Sequence, residues 1–202
     1  MALFKDLLGI TPERDIQKRE PTTLEHLLEL ERVIHKKYSV MVRGKEVYSI
    51  AQDVYPALYQ EVEKENITLS PQDLQDLILA KVNNNYDDNE AKALGLYTGT
   101  LLHLLTEQEQ QQKREAVVQI DLHDERFDYL FFCANKADTV EVKNAVGKDI
   151  CAFMGSYDGT VGTIVMKDCK GDGAAGWAGS DSGTVGMIAF MNCEGDWAAQ
   201  LA

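Results

Sequence analysis

Shifting the chain by 24 residues lays Gly155–Val161 (GSYDGTV) on Gly179–Val185 (GSDSGTV), and no other feature constrains the fold as tightly. The same shift sets Ile164 on Ile188, Cys169 on Cys193, Gly171 on Gly195 and Asp172 on Asp196. It continues with Ala174-Ala175 on Ala198-Ala199 and Trp177 on Leu201. One unit earlier, Lys143, Asn144, Ala145 and Gly147 fall on Lys167, Asp168, Cys169 and Gly171. A shorter shift of 21 residues matches Phe132 with Phe153 and Thr139-Val140 with Thr160-Val161. A repeat of this length means stacked units, because one unit cannot bury its apolar face alone. A repeat of 24 residues, at about 3.3 Å each, makes one coil of short strands and turns. Stacking then places equivalent residues about 4.8 Å apart.

On that scheme Phe132, Phe153, Trp177 and Leu201 form one interior ladder. Val140, Val161 and Val185 form a second, and Ala145, Cys169 and Cys193 a third. Eleven of the fifteen glycines lie between Gly147 and Gly195, as a chain of turns requires. Gly159/Gly183 and Gly171/Gly195 are expected at positive φ, where the coil must bend.

Residues 1–116 have a different grammar. Thr22–Lys37 places Leu24, Leu27, Leu28, Leu30, Val33 and Ile34 at the spacing of an amphipathic helix, and Thr22 with Glu25 fits a capping box. Glu46–Glu65 carries a second helical pattern, which Pro56 should end or kink. Ser70-Pro71 reads as an N-cap followed by a permitted first-turn proline. After the polar turn NNNYDD, Asn89 caps a long leucine-rich run whose tail, Glu107–Glu115, reads as a solvated helix end or linker.

The segments Gly162–Ala178 (GTIVMKDCKGDGAAGWA) and Asn144–Ser156 (NAVGKDICAFMGS) resemble the repeat of the GXGXG-type right-handed β-helix. That domain closes the large subunit of glutamate synthase, and a related one forms a subunit of formylmethanofuran dehydrogenase. The likeness covers roughly residues 130–202. It implies a fold whose role is scaffold and contact surface, and it carries no catalytic residue onto this chain.

Charge and motifs narrow the function. The net charge is −13, shared by residues 1–116 (14 basic, 20 acidic) and the remainder (6 basic, 13 acidic), which disfavours a polyanion partner such as nucleic acid. No apolar run reaches about 18 residues, so no membrane span is expected. The opening MALFKDLLGI is too short in apolar residues for a secretory signal. Gly171–Gly176 matches GxGxxG, but the turn-forming WAGSDSG follows where a dinucleotide site needs a helix. Cys133, Cys151, Cys169 and Cys193 are spaced 18, 18 and 24 apart with no Cys-x-x-Cys pair, and read as small buried hydrophobes. Asp158, Asp168, Asp172, Asp181 and Asp196 fall at turns, where aspartate is a common turn former. Asp121, His123 and Asp124, beside Glu125 and Asp128, are the densest polar cluster; a histidine among carboxylates can hold a divalent cation or move a proton.

The expected fold is therefore α+β: an N-terminal helical bundle (1–116), then a short right-handed parallel β-helix of about three coils (117–202). The helical half should cap the first coil through Val117–Leu122. The last coil ends at Leu201-Ala202 without a visible cap, so a partner is expected there, either another protein subunit or, most simply, a second copy. The expected function is a cytoplasmic, non-catalytic scaffold or interaction subunit, with no cofactor. The alternatives are a metal-assisted hydrolase around His123, with Asp121 and Asp124 as ligands, or an acidic Ca²⁺- or ligand-binding module.

Overall fold

The computed structural model describes residues 22–196. The expectations attached to Met1–Ile10, Ala198, Ala199, Leu201 and Ala202 lie outside the described residues. Helix α1 spans Thr23–Val42, α2 Val47–Ser49, α3 Tyr55–Glu63, α4 Pro71–Leu79 and α5 Asp88–Gln111. Strands β1 (Val117–Asp121), β2 (Lys136–Lys143), β3 (Thr160–Lys167) and β4 (Thr184–Met191) follow, all parallel and in the order β1-β2-β3-β4. The chain is thus a helical layer followed by a parallel β-solenoid of about three turns.

Local chemistry explains the helix ends. The Thr22/Glu25 box caps α1, and Ser70 caps α4 with Pro71 in its first turn and Asp73 completing the box. Helix α5 is capped by Asp87, two residues before Asn89, because Asp87 Oδ1 accepts from both Asn89 N and Glu90 N. Pro56 has no N–H to donate back along the helix. The chain accommodates this with a π-helical turn over Ile50–Val54, in which Tyr55 N–H donates to the Ile50 carbonyl, and α3 restarts with the proline in its first turn. The tail of α5 is more engaged than a solvated linker: Gln108 bonds Leu69 N and the Ile67 carbonyl, and Glu107 bonds Tyr59 and Lys136.

The 24-residue register holds between β2 and β3 and between β3 and β4. Ala137, Val161 and Val185 stack, as do Val140, Ile164 and Ile188. Val140 therefore does not share a ladder with Val161. The 21-residue shift is real at the corner, where the Phe132 and Phe153 rings meet 6.0 Å apart, but it does not extend to the strands. The second coil holds three extra residues in its Ser156–Gly159 corner, which the first coil turns at Asn135 alone. The first rung is offset by 22 residues, Val117 pairing with Thr139.

Two further expectations change. The Phe132–Phe153–Trp177 ladder runs outward along the seam with the helices, so Phe132 is buried while Trp177 is 38% exposed, its ring stacked on Phe153. Gly171 (φ +135°) and Gly195 (φ +129°) turn at positive φ, whereas Gly159 and Gly183 do not. Those two are glycine because a Cβ would lie 2.5 Å from the Asn135 carbonyl oxygen or 1.8 Å from that of Gly155 on the rung below.

Candidate functional site

The cap on the first coil is built by side chains of the helical layer. At the solenoid's corner, residues alternate between right- and left-handed backbone, and N–H groups reach down to the preceding coil. Ala175 N donates to Ile150 O, and Cys151 N to Leu130 O; likewise Gly179 N donates to Met154 O, and Gly155 N to Ala134 O. In the first coil the equivalent donors, Phe131 N and Asn135 N, have no coil beneath them. Thr98 Oγ1 of α5 accepts from Phe131 N at 3.2 Å, and the Tyr55 hydroxyl of α3 accepts from Asn135 N at 3.2 Å. Buried backbone donors need such partners. Helix α5 comes close enough because Gly95 and Gly99 lie against the coil: a Cβ would lie 2.1 Å from Tyr129 O or 2.6 Å from Phe132 O. The cap is thus α5 and α3, and Val117–Asp121 is the first rung itself. The sequence signal for this was Gly95 and Gly99 four residues apart in a leucine-rich helix, a spacing that puts both on one face.

The Tyr55 hydroxyl also anchors a buried relay. Its lone pair takes the Asn135 N–H, so its hydrogen points to His103 Nδ1 at 3.0 Å, leaving Nε2–H facing Glu107 Oε1 at 3.5 Å. Tyr59 donates to the other Glu107 oxygen at 2.6 Å, and Lys136 to Oε1 at 3.0 Å. Burial pushes the His103 imidazole down to about 4, against the pull of Glu107, and pushes the Tyr55 phenol far above its usual range. A neutral imidazole and an unionisable phenol make this chain a brace between helices and coil. Beside it lies a cavity of about 190 Å³ lined by Tyr55, Cys133, Asn135, Phe153 and Tyr157.

The structure brings Asp121 and His123 together and leaves Asp124 apart. Asp121 closes β1, and His123 and Asp124 follow in a turn at φ +52° and +63°. Asp121 Oδ1 lies 3.3 Å from His123 Nδ1, and also accepts from Asn144 Nδ2 (2.9 Å) and His123 N (3.0 Å). Those hydrogen bonds, Asn144's foremost, hold the Asp121 carboxyl below the usual range. The His123 side chain is 71% exposed. Among the described residues no group of three or more His, Cys, Asp or Glu could hold a metal ion. Asp158, Asp168 and Asp181 sit at positive φ in turns, and Gly171–Gly176 runs through a turn with no helix after it.

A larger cavity, about 490 Å³, opens where the α4–α5 connection meets the first coil, lined by Lys81, Asn83, Tyr86, Leu94, Arg126 and Asp128. Both of its cations are already paired, Lys81 with buried Glu31 (2.5 Å) and Arg126 with Asp128 (2.6 Å). It offers no free positive charge to an anion.

The far end of the stack is different. Val161, Ile164, Met166 and Cys169 are fully buried on β3 and just after it, while their partners Val185, Ile188, Phe190 and Cys193 on the last rung are only half-buried. Met187 and Met191, on the outer face of β4, are each about half exposed. Among the described residues no strand pairs with the outer edge of β4.

Fold and site together define a class, a parallel β-solenoid closed at one end by helices and bearing an apolar rung at the other. No family model, curated protein or solved structure matches this chain.

Proposed function

We propose that this protein is a non-catalytic scaffold or interaction subunit, and that a second copy of the chain meets the last rung of the solenoid. The half-buried apolar row Val185, Ile188, Phe190 and Cys193 carries this reading, since the same row one rung inward is completely covered. An unpaired strand edge is a template for another chain, and proteins normally cover or charge it. A two-fold pairing of identical ends is the simplest closed solution. The acidic charge of −13 speaks against a nucleic-acid partner, and no described helix is long and apolar enough to cross a membrane.

The same reading makes the solenoid a right-handed β-helix of the GXGXG type, supported by the matched positive-φ turns at Gly171 and Gly195. It assigns the protein to the cytoplasm, supported by four free thiols, three of them buried. Light scattering of the full chain at micromolar concentration and neutral pH is expected to give a dimer mass. Ile188→Lys, which adds a charge to the edge rung, is expected to give a monomer with an unchanged far-UV spectrum. A monomeric wild-type protein would overturn the reading.

A further inference from the structure

We infer that Cys169 and Cys193 are a covalent modification site, forming a disulfide between the last two coils when the protein meets glutathione disulfide. The two residues occupy one phase of the repeat. Lys167 pairs with Met191 just before them and Lys170 bridges Glu194 just after, so the two cysteines lie side by side on neighbouring rungs. Their Cα separation is then one rung, about 4.8 Å, which lies within the roughly 4.4–6.8 Å that a disulfide spans. The thiols adopt the same pose: Cys169 Sγ lies 3.2 Å from Lys167 O and 3.5 Å from Val142 O, and Cys193 Sγ 3.4 Å from both Met191 O and Met166 O. The two sulfurs also interact directly.

Their surroundings assign each an order in the reaction. Cys193, half-buried on the last rung, is the only one of the four cysteines with appreciable solvent access. Cys133 and Cys151 are fully buried, and burial pushes both thiols well above their usual range. Cys169 is buried behind Cys193, its thiol pushed up to about 11 mainly by burial. Cys193 as thiolate therefore attacks glutathione disulfide; that S–S bond breaks, and one glutathione leaves and takes up the proton Cys193 lost. Cys169 then attacks the Cys193 sulfur of the mixed disulfide, and the second glutathione leaves with the Cys169 proton. Two protein thiols are oxidised and one glutathione disulfide is reduced to two thiols. The bond closes a ring through one coil and fastens the last rung, the surface proposed above for a second copy, to the rung beneath it. The inference does not depend on that copy being present.

The test is treatment of the full-length protein with glutathione disulfide at pH 8, then intact-mass measurement, thiol titration and peptide mapping without reduction. The expected result is a protein lighter by two hydrogens, two of the four thiols remaining, and a single linkage between the Cys169 and Cys193 peptides. Melting temperature should rise, and fall back on adding a reductant. Cys193→Ser should keep all three remaining thiols and gain no glutathione, while the double variant Cys133→Ser/Cys151→Ser should still form the link. Four surviving thiols, a glutathione adduct that persists on Cys193, a Cys151–Cys169 link, or a Cys193–Cys193 link between chains would each overturn the inference. Only the last of these would also support the dimer, so the two readings fail separately.

Discussion

His103 shows how much one residue's surroundings decide. In the sequence it is a histidine on a leucine-rich helix with no recognisable nucleophile. In the fold it is buried with Tyr55, Tyr59, Glu107 and Lys136 around it, and burial lowers its pKa to about 4 from the ordinary 6.5. The unfolded chain binds the proton first as pH falls, so the contribution of neutral His103 is complete above about pH 6.5 and is lost towards pH 4. The loss is about 3 kcal/mol for a shift of this size. Glu107, held below the usual carboxylate range by Tyr59 and Lys136 against the effect of burial, also loses stabilisation in acid. The His103→Leu variant isolates the histidine. Urea midpoints measured from pH 7 to 4 should fall less steeply in the variant than in the wild type, and parallel slopes would refute the assignment.

At the scale of elements, α5 is the lid of the solenoid, and its two glycines reverse an ordinary rule. Replacing glycine by alanine inside a helix usually stabilises by about 1 kcal/mol. Here a Cβ at position 95 would lie 2.1 Å from a backbone oxygen, which cannot yield as a flexible side chain can. Gly95→Ala is therefore expected to destabilise by about 2–3 kcal/mol, in the range of overpacked cores, as read from urea unfolding. An unchanged or raised midpoint would mean that α5 does not sit on the coil. Most elements were legible: the capping boxes at Thr22 and Ser70, the long leucine helix, and the strands from the repeat. The start of α5 was misplaced by two residues because both Asp87 and Asn89 are good caps, and only the hydrogen bonds choose between them. The lid itself was not legible. It is made by Thr98 and Tyr55, whose hydroxyls replace the carbonyls of an absent coil, more than 30 residues away along the chain.

For the whole molecule, stability should run along the stack. A solenoid is close to a one-dimensional array, in which each coil depends on its neighbours. The first coil is closed by helices, whereas the last has one described neighbour and a half-buried apolar row. Amide hydrogen exchange is expected to be slowest in β2, faster in β3 and fastest in β4 in the monomeric Ile188→Lys variant. In the self-associated wild type, β4 should be protected to the level of β3. Uniform protection along the variant's stack would contradict end fraying.

The repeat alone determined that the second half is a parallel stack of coils, because matched residues 24 apart can bury a face only by lying on one another. It also determined the phase of the Ala145–Cys169–Cys193 ladder, a direct consequence of period. The tertiary structure decided the rest. Which way a ladder faces depends on the corner conformation: Phe131, Cys133, Phe153 and Trp177 sit at φ between +57° and +59°. Side chains of this size rarely adopt that backbone, and no local sequence signal announces it. The hydrogen bonds between coils hold it there, and they form only once the coils are stacked. The junction cluster of Asp121, His123 and Asp124 was legible as composition, but whether its side chains converge is set by a turn that directs His123 into solvent.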